Sequence, residues 1–310
     1  MNTPSNAMPE SFGSQGIAPP VIRATRPMYW SVQRELWENR SIYVAPLAVA
    51  AVALFGFLIS ATVMAHKMHG LSAPGPAHEH RAVALPYDFA AGMLMLTQIL
   101  VAVFYCLDAL HGERRDRSIL FWKSLPVSDL TTVLSKASIP LVVLPLVTFA
   151  ITIAVQWIML LLNTAVVLGS GQSVATLWTQ VSFVQMSLLL LYHLFTAHAL
   201  WPAPVYCWLI LVSGWARRAA FLWAVLPLVA IAGLERILFH TSHFAIMVGH
   251  RFIGHTPDMA VMPPGTFPTD PMTHITPDKF LTSPGLWIGL LVAAVFLAAA
   301  VRLRRYREPI

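Results

Sequence analysis

Apolar residues come along this chain in six long blocks separated by polar intervals: Ile42 to Ala65, Phe89 to Leu110, Ala137 to Leu162, Val181 to Val212, Ala219 to Phe239 and Leu286 to Val301. About twenty apolar residues is the length that crosses hydrocarbon as a helix. Lipid offers a backbone no hydrogen-bond partners, so each block must be helical or belong to a closed barrel. A barrel requires alternating apolar and polar positions. The continuous run LVVLPLVTFAITIAVQWIMLLL (141–162) excludes it. The fourth block is too long for one simple crossing, and Trp201-Pro202-Ala203-Pro204 predicts a kink there, because proline lacks the N–H and crowds the preceding turn. The expected fold class is all-α integral membrane, with six transmembrane helices.

Composition sharpens this picture. Of 310 residues, 57% are hydrophobic and 11% charged, against roughly 25% charged in soluble proteins. A water-soluble globule is excluded. The net charge of +6 says less than its distribution. With the N-terminus inside, one side carries fifteen basic residues, among them Arg23, Arg26, Arg34, Arg40, Lys136 and Arg302, and the other only Lys67, Arg81, Arg236, Arg251 and Lys279. That bias predicts cytoplasmic termini and no nucleic-acid partner. Cys106 and Cys207 both lie in apolar blocks, so no disulfide framework is expected. Residues 1–27 lack a basic start followed by an apolar core and read as a disordered cytoplasmic leader rather than a secretory signal.

Residues 28–41 predict an interfacial helix. On helical spacing Trp30 and Trp37 join Tyr29 and Leu36 on one side, whereas Arg34, Glu35 and Glu38 fall largely elsewhere. Between spans two and three, residues 111–136 form a cytoplasmic loop in which Ile119, Leu120, Phe121, Trp122 and Leu125 make an apolar cluster, flanked by charges and stopped by Pro126. A plain connector would be polar throughout. Exposed clusters of this kind mark contact surfaces, unless they tuck back under the protein's own helices or into the bilayer.

This loop resembles the first cytoplasmic loop of the ABC type-2 permeases, the membrane subunits of ATP-driven exporters. Glu113 and Asp116 match its acidic positions, and Leu125-Pro126-Val127-Ser128 matches its end. Ser118-Ile119-Leu120 stands where Gly-Thr-Leu is common, so the turn glycine is lost. The entry helix Arg34-Glu35-Leu36-Trp37-Glu38-Asn39-Arg40, the segment Ser213-Gly214-Trp215-Ala216-Arg217-Arg218 and the six-span plan extend the resemblance over most of the chain. It implies the ABC type-2 exporter permease fold, with 28–41 as the elbow helix. It also implies a coupling helix docking on a separate ATPase subunit, in which Phe121 and Trp122 fill an apolar socket. Arg114, Arg115, Arg117 and Lys123 would then meet acidic groups at its rim. Two ATPase copies carrying ATP and Mg, a second permease (identical or homologous) and the bacterial inner membrane are the implied partners, with a peptide, antibiotic or lipid as substrate. This chain itself would hold no cofactor and no catalytic residue.

Polar residues inside the spans are Gln98, Gln156, Gln185, His193, His198, Glu235 and Arg236. Charges at membrane depth are expensive and normally face protein or water. Glu235 and Arg236 are therefore expected to join neighbouring helices or close an exit near the outer end of span five. The glutamines are expected to hydrogen-bond between helices. The outer segment 240–284 begins with an apolar stretch, Phe244 to Ile253, able to dip into the membrane as the family's re-entrant helices do. Within it Gly249-His250-Arg251-Phe252-Ile253-Gly254-His255-Thr256 mimics a phosphate loop but lacks the lysine. Two rivals define other classes. An intramembrane acyltransferase or protease would need paired catalytic groups, and neither a Ser-His nor a two-Asp arrangement stands in the spans. A metal-handling protein would use nine outer histidines, with His66 and His69, and His78 and His80, as its paired ligands.

Overall fold

The structure, a computed structural model, describes residues 25–67, 76–116, 118, 127–169, 183–253 and 277–306, with the side chains of 25–26, 61–84, 253 and 277–279 left aside. The leader up to residue 24, the whole apolar loop cluster (within 119–126) and residues 254–276 lie outside this description. No strand occurs among the described residues. Six helical stretches are long and apolar enough to cross a membrane: Ser41–Ser60, Leu85–Arg115, Asp129–Gly169, Phe183–Leu200, Ala220–Phe239 and Pro284–Tyr306. This is the architecture of a multi-pass membrane protein.

Helix α1 (Thr25–Glu38) precedes α2 (Ser41–Lys67), and α3 (Pro76–Asp108) is followed by the single turn α4 (His111–Arg115). The third span starts earlier than its hydropathy suggests, with α5 (Asp129–Ser138) continuing through a π-helical segment (Ile139–Val143) into α6 (Leu144–Gly169). Ser128 explains the early start, since its hydroxyl accepts the Thr131 N–H at 3.1 Å as an N-cap. Asp129 in the first turn suits the positive helix end. The loop expected over 111–136 is correspondingly shorter, because its last eight residues are helical.

The expected kink in span four is present. Helix α7 (Phe183–Phe195) widens into a π segment (Thr196–Leu200), where Trp201 N–H reaches back five residues to Thr196 C=O at 2.9 Å. After Trp201 and Pro202 the chain resumes as α8 (Ala203–Trp215). Then come α9 (Ala220–Phe239), α10 (His243–Ile253), the short α11 (Pro277–Thr282) and α12 (Pro284–Tyr306). Both residues flanking α9, Ala219 and His240, adopt left-handed φ angles of 49° and 55°, which turn the chain sharply at each end.

Packing is tightest where small residues let backbones approach, as in membrane bundles generally. Ala203 and Cys207 of α8 meet Ala293 of α12, with Leu141, Leu290 and Phe296 around them. The largest cluster joins Ile42, Ala102, Tyr105, Cys106, Ile139, Leu144, Tyr206, Ile210 and Ala300. By contrast α9 directs Phe221, Leu226, Val229, Leu234, Ile237 and Leu238 outward, as a helix bathed by lipid does.

One end of the bundle is clasped by α10. Arg251 stacks on the Trp201 ring at 4.1 Å, donates to Trp201 C=O at 2.9 Å and donates to Gly285 C=O. Trp201 Nε1 returns a hydrogen bond to His250 C=O at 3.1 Å. Gly289 admits the guanidinium, for a Cβ there would stand 2.7 Å from Arg251 Nη1. The clasp holds α10 beside the start of α12. Burial presses the Arg251 pKa below its ordinary value, and its partners are carbonyls and a ring rather than a carboxylate.

The close α8–α12 contact makes a sharp prediction. Ala293→Leu overpacks it and should cost about 1–3 kcal/mol, read as a lowered thermal midpoint in detergent. Val295→Leu, on the outward face of the same helix, should leave the midpoint unchanged.

Candidate functional site

At the end of the bundle opposite the clasp, four elements bring their charges together and a fifth adds a hydroxyl. Glu113 is at the centre. Its Oε1 accepts from Arg34 Nη2 of α1 at 2.8 Å and lies 3.2 Å from Lys136 Nζ of α5, while its Oε2 accepts from Arg304 Nη1 of α12 at 2.8 Å. Glu35 forms the second node: its Oε1 accepts from Lys136 Nζ at 2.8 Å and its Oε2 from the Tyr105 hydroxyl of α3 at 2.8 Å. Arg304 also donates Nε to Asp129 Oδ1 at 3.0 Å.

Glu35 is 1% exposed, Lys136 2%, Arg304 6% and Glu113 7%. Such burial is tolerable only because the charges balance. Glu35, Glu113 and Asp129 offset Arg34, Lys136 and Arg304, and each oxygen of both glutamates accepts at least one hydrogen bond. Helix ends contribute in the same sense. Asp129 stands in the first turn of α5 and Arg304 in the last turn of α12, each where the helix dipole favours its sign. Burial works against the Arg34 charge, but Glu38 at 3.0 Å and Glu113 outweigh it and hold its pKa above the ordinary value.

Local sequence explains how these groups meet. In α1, Val32 and Leu36 pack on the core and Glu35 shares their inward stripe, while Tyr29, Trp30 and Trp37 face outward. Leu36 thus departs from the aromatic side on which its spacing set it, and Arg34 and Glu35 turn inward with it. The reason is tertiary: Lys136, Tyr105 and Glu113 supply partners that water would otherwise provide. A second anchor holds α4 on α8. Arg114 Nη1 donates to Gly214 C=O at 2.8 Å and Ala216 C=O at 3.2 Å, and Leu110 N–H donates to Ser213 Oγ at 3.2 Å.

The expected loop residues therefore divide. Glu113 and Arg114 point into the protein and are unavailable to a docking rim. Arg115 and Asp116 are exposed and pair with each other at 3.1 Å. Arg117, Ile119, Leu120, Phe121, Trp122, Lys123, Leu125 and Pro126 lie outside the described residues. Tyr105, Asp129, Lys136 and Arg304 belong to the network although their positions alone did not single them out. A faint signal exists for Lys136, a lone cation at the threshold of an apolar block.

Of the polar residues within the spans, Glu235 is the N-terminal cap of α10. Its Oε1 accepts from Thr241 Oγ1 and His243 N–H, and its Oε2 from Phe244 N–H, all at 2.8 Å. Arg236 is exposed. Gln185 is exposed on α7, and the buried Gln98 and Gln156 do not make the cross-helix hydrogen bonds expected of them. Among the described residues no group of three His, Cys, Asp or Glu could hold a metal ion. The side chains of His66, His69, His78 and His80 are outside the description.

Fold and site together define a class, a multi-pass helical membrane protein whose loop-bearing end is tied by a buried ion network. No family model, no curated protein and no solved structure matches the chain.

Removing one member leaves a buried charge unpaired, so Glu113→Gln or Lys136→Met should destabilise the purified protein by about 3–5 kcal/mol. The double variant Glu35→Gln with Lys136→Met should cost clearly less than the sum of the two singles. Thermal unfolding in detergent measures both, and additive losses would sink the direct pairing.

Proposed function

We propose that this chain is the permease subunit of an ATP-driven exporter of the ABC type-2 kind, converting pushes from a separate ATPase into helix movement. The observation that carries the reading is the position of Glu113. It lies on the turn that leads into the apolar loop, and it grips α1, α5 and α12 through Arg34, Lys136 and Arg304. A displacement of the loop would reach all three elements at once, because swinging any one of them away strands a buried charge.

In this reading the aromatic cluster of Phe121 and Trp122 docks on the ATPase. The basic bias puts this end, with both termini, on the cytoplasmic side of a bacterial inner membrane. ATP and Mg belong to two copies of the partner, whose closure pushes paired loops. Six spans rarely enclose a path for a sizeable solute, so a second permease, identical or homologous, completes it. The weakly charged interior suits amphipathic cargo such as peptides, antibiotics or lipids. Trp30 and Trp37, exposed on α1, anchor the elbow helix at headgroup depth.

Mild-detergent purification followed by mass spectrometry should recover an ATPase subunit with the wild-type chain. Trp122→Ala with Phe121→Ala should lose that subunit while still inserting. Arg304→Lys, which cannot span Glu113 and Asp129 as a planar fork does, should retain the subunit but lower ATP-driven export from proteoliposomes. Full activity of the isolated chain without nucleotide would overturn the proposal.

A further inference from the structure

Each charge of the ion network faces a counter-ion, but Arg251 does not. Its guanidinium donates to Trp201 C=O at 2.9 Å and to Gly285 C=O, and it lies over the Trp201 ring at 4.1 Å. Carbonyls and a ring stabilise a cation without neutralising it. No carboxylate among the described residues pairs with it. Glu235, the acid at the start of α10, is held by Thr241 Oγ1 and by the N–H groups of His243 and Phe244. Arg251 stands eight residues beyond His243 on that helix, roughly 12 Å along its axis.

Depth makes this imbalance costly. Gly289, which the guanidinium packs against, and Arg304 of the ion network lie on one helix, α12, fifteen residues or roughly 22 Å apart. Hydrocarbon is roughly 30 Å thick. With the network at one boundary, the guanidinium therefore stops short of the other. An arginine side chain stays charged in any protein setting, and a charge at membrane depth normally faces protein or water and marks a binding path.

The guanidinium also has donors to spare. Its two carbonyl partners use two N–H groups of the five that arginine carries. Nε neither makes a hydrogen bond among the described residues nor is buried. The missing partner must be an acceptor and an anion, and oxyanions suit a guanidinium because both are planar forks able to share parallel N–H···O bonds. Beside Gly289, the residues Ile288, Leu291 and Val295 run down α12 as an exposed apolar stripe at helical spacing. An acyl chain attached to the anion would lie along that stripe, where a free ion gains nothing. We propose that Arg251 is a binding site for the oxyanion head of an amphiphile, a phosphate or a carboxylate, whose tail follows α12. The site goes beyond the export reading and does not rest on it, for its test uses neither nucleotide nor an ATPase.

A ligand bound by the folded form raises the thermal midpoint. With the full chain in dodecyl maltoside micelles, oleoyl lysophosphatidate or oleate should raise it, whereas monoolein, the same tail on an uncharged head, should not. Arg251→Gln should need about tenfold more of the anion for the same rise, as the loss of a charge-assisted hydrogen bond entails. Arg236→Gln, exposed on the neighbouring α9, should respond as the wild type does. Equal rises with charged and uncharged heads overturn the proposal, as does a response that Arg251→Gln retains in full. A rise that inorganic phosphate produces by itself at the same concentration makes a free ion the ligand and overturns it too. Should Arg251→Gln fail to fold, Arg251→Lys takes its place. It keeps the charge but lacks the fork, so the anion should bind several-fold more weakly, and an unchanged response overturns the proposal.

Discussion

Taking a carboxylate or an ammonium out of water costs several kcal/mol even after the protein relaxes, and this chain does so at one end of its bundle with both signs. The buried positions of Glu35, Glu113, Lys136 and Arg304 are acceptable only as a set. That mutual dependence fixes how α1, α4, α5 and α12 are arranged, because no member can leave without stranding another. Apolar packing in a membrane is weakly directional, since lipid tails are as greasy as leucine. The ion network supplies the specificity that such packing lacks.

The two ends of the molecule solve the same problem differently. At the network end, charges from four elements neutralise one another, joined by the Tyr105 hydroxyl, over hydrogen bonds of 2.8–3.0 Å. At the other end a single cation, Arg251, is held by carbonyls and by the face of Trp201. Glu235 spends its carboxylate on the first N–H groups of α10. The first arrangement ties several helices to one point. The second pins one helix to the break in span four and the start of α12. Between them the bundle is held by small residues such as Ala203 and Ala293, with α9 left largely to lipid.

Much of the architecture was legible beforehand because it follows from one-dimensional constraints. The six spans follow from block length, the kink at Trp201-Pro202 from the missing proline N–H, and the outward aromatic face of α1 from the spacing of Trp30 and Trp37. Ser128 and Asp129 carry a readable helix start that hydropathy masked. The network was not legible. Glu113 drew attention through its loop, and Arg34 and Glu35 through their helix. That Arg34 and Glu35 turn inward, with Leu36, depends on Tyr105, Glu113 and Lys136, which lie 70 to 101 residues away in the chain. Gln98 and Gln156 were recognised as polar intrusions, but the absence of a bond between helices appears only once the faces of α3, α6 and α7 are set against one another.

The order of apolar and polar residues by itself determined that this is a helical, multi-pass membrane protein, roughly where its helices begin and break, and which end carries the basic excess. These depend on hydrocarbon thickness, backbone hydrogen bonding and proline geometry, all properties of neighbouring residues. Only the tertiary structure decided which charges are buried, which are paired and which polar atoms are left without partners. Electrostatic balance in a dry interior is settled between groups remote in the chain, and no local pattern records that sum.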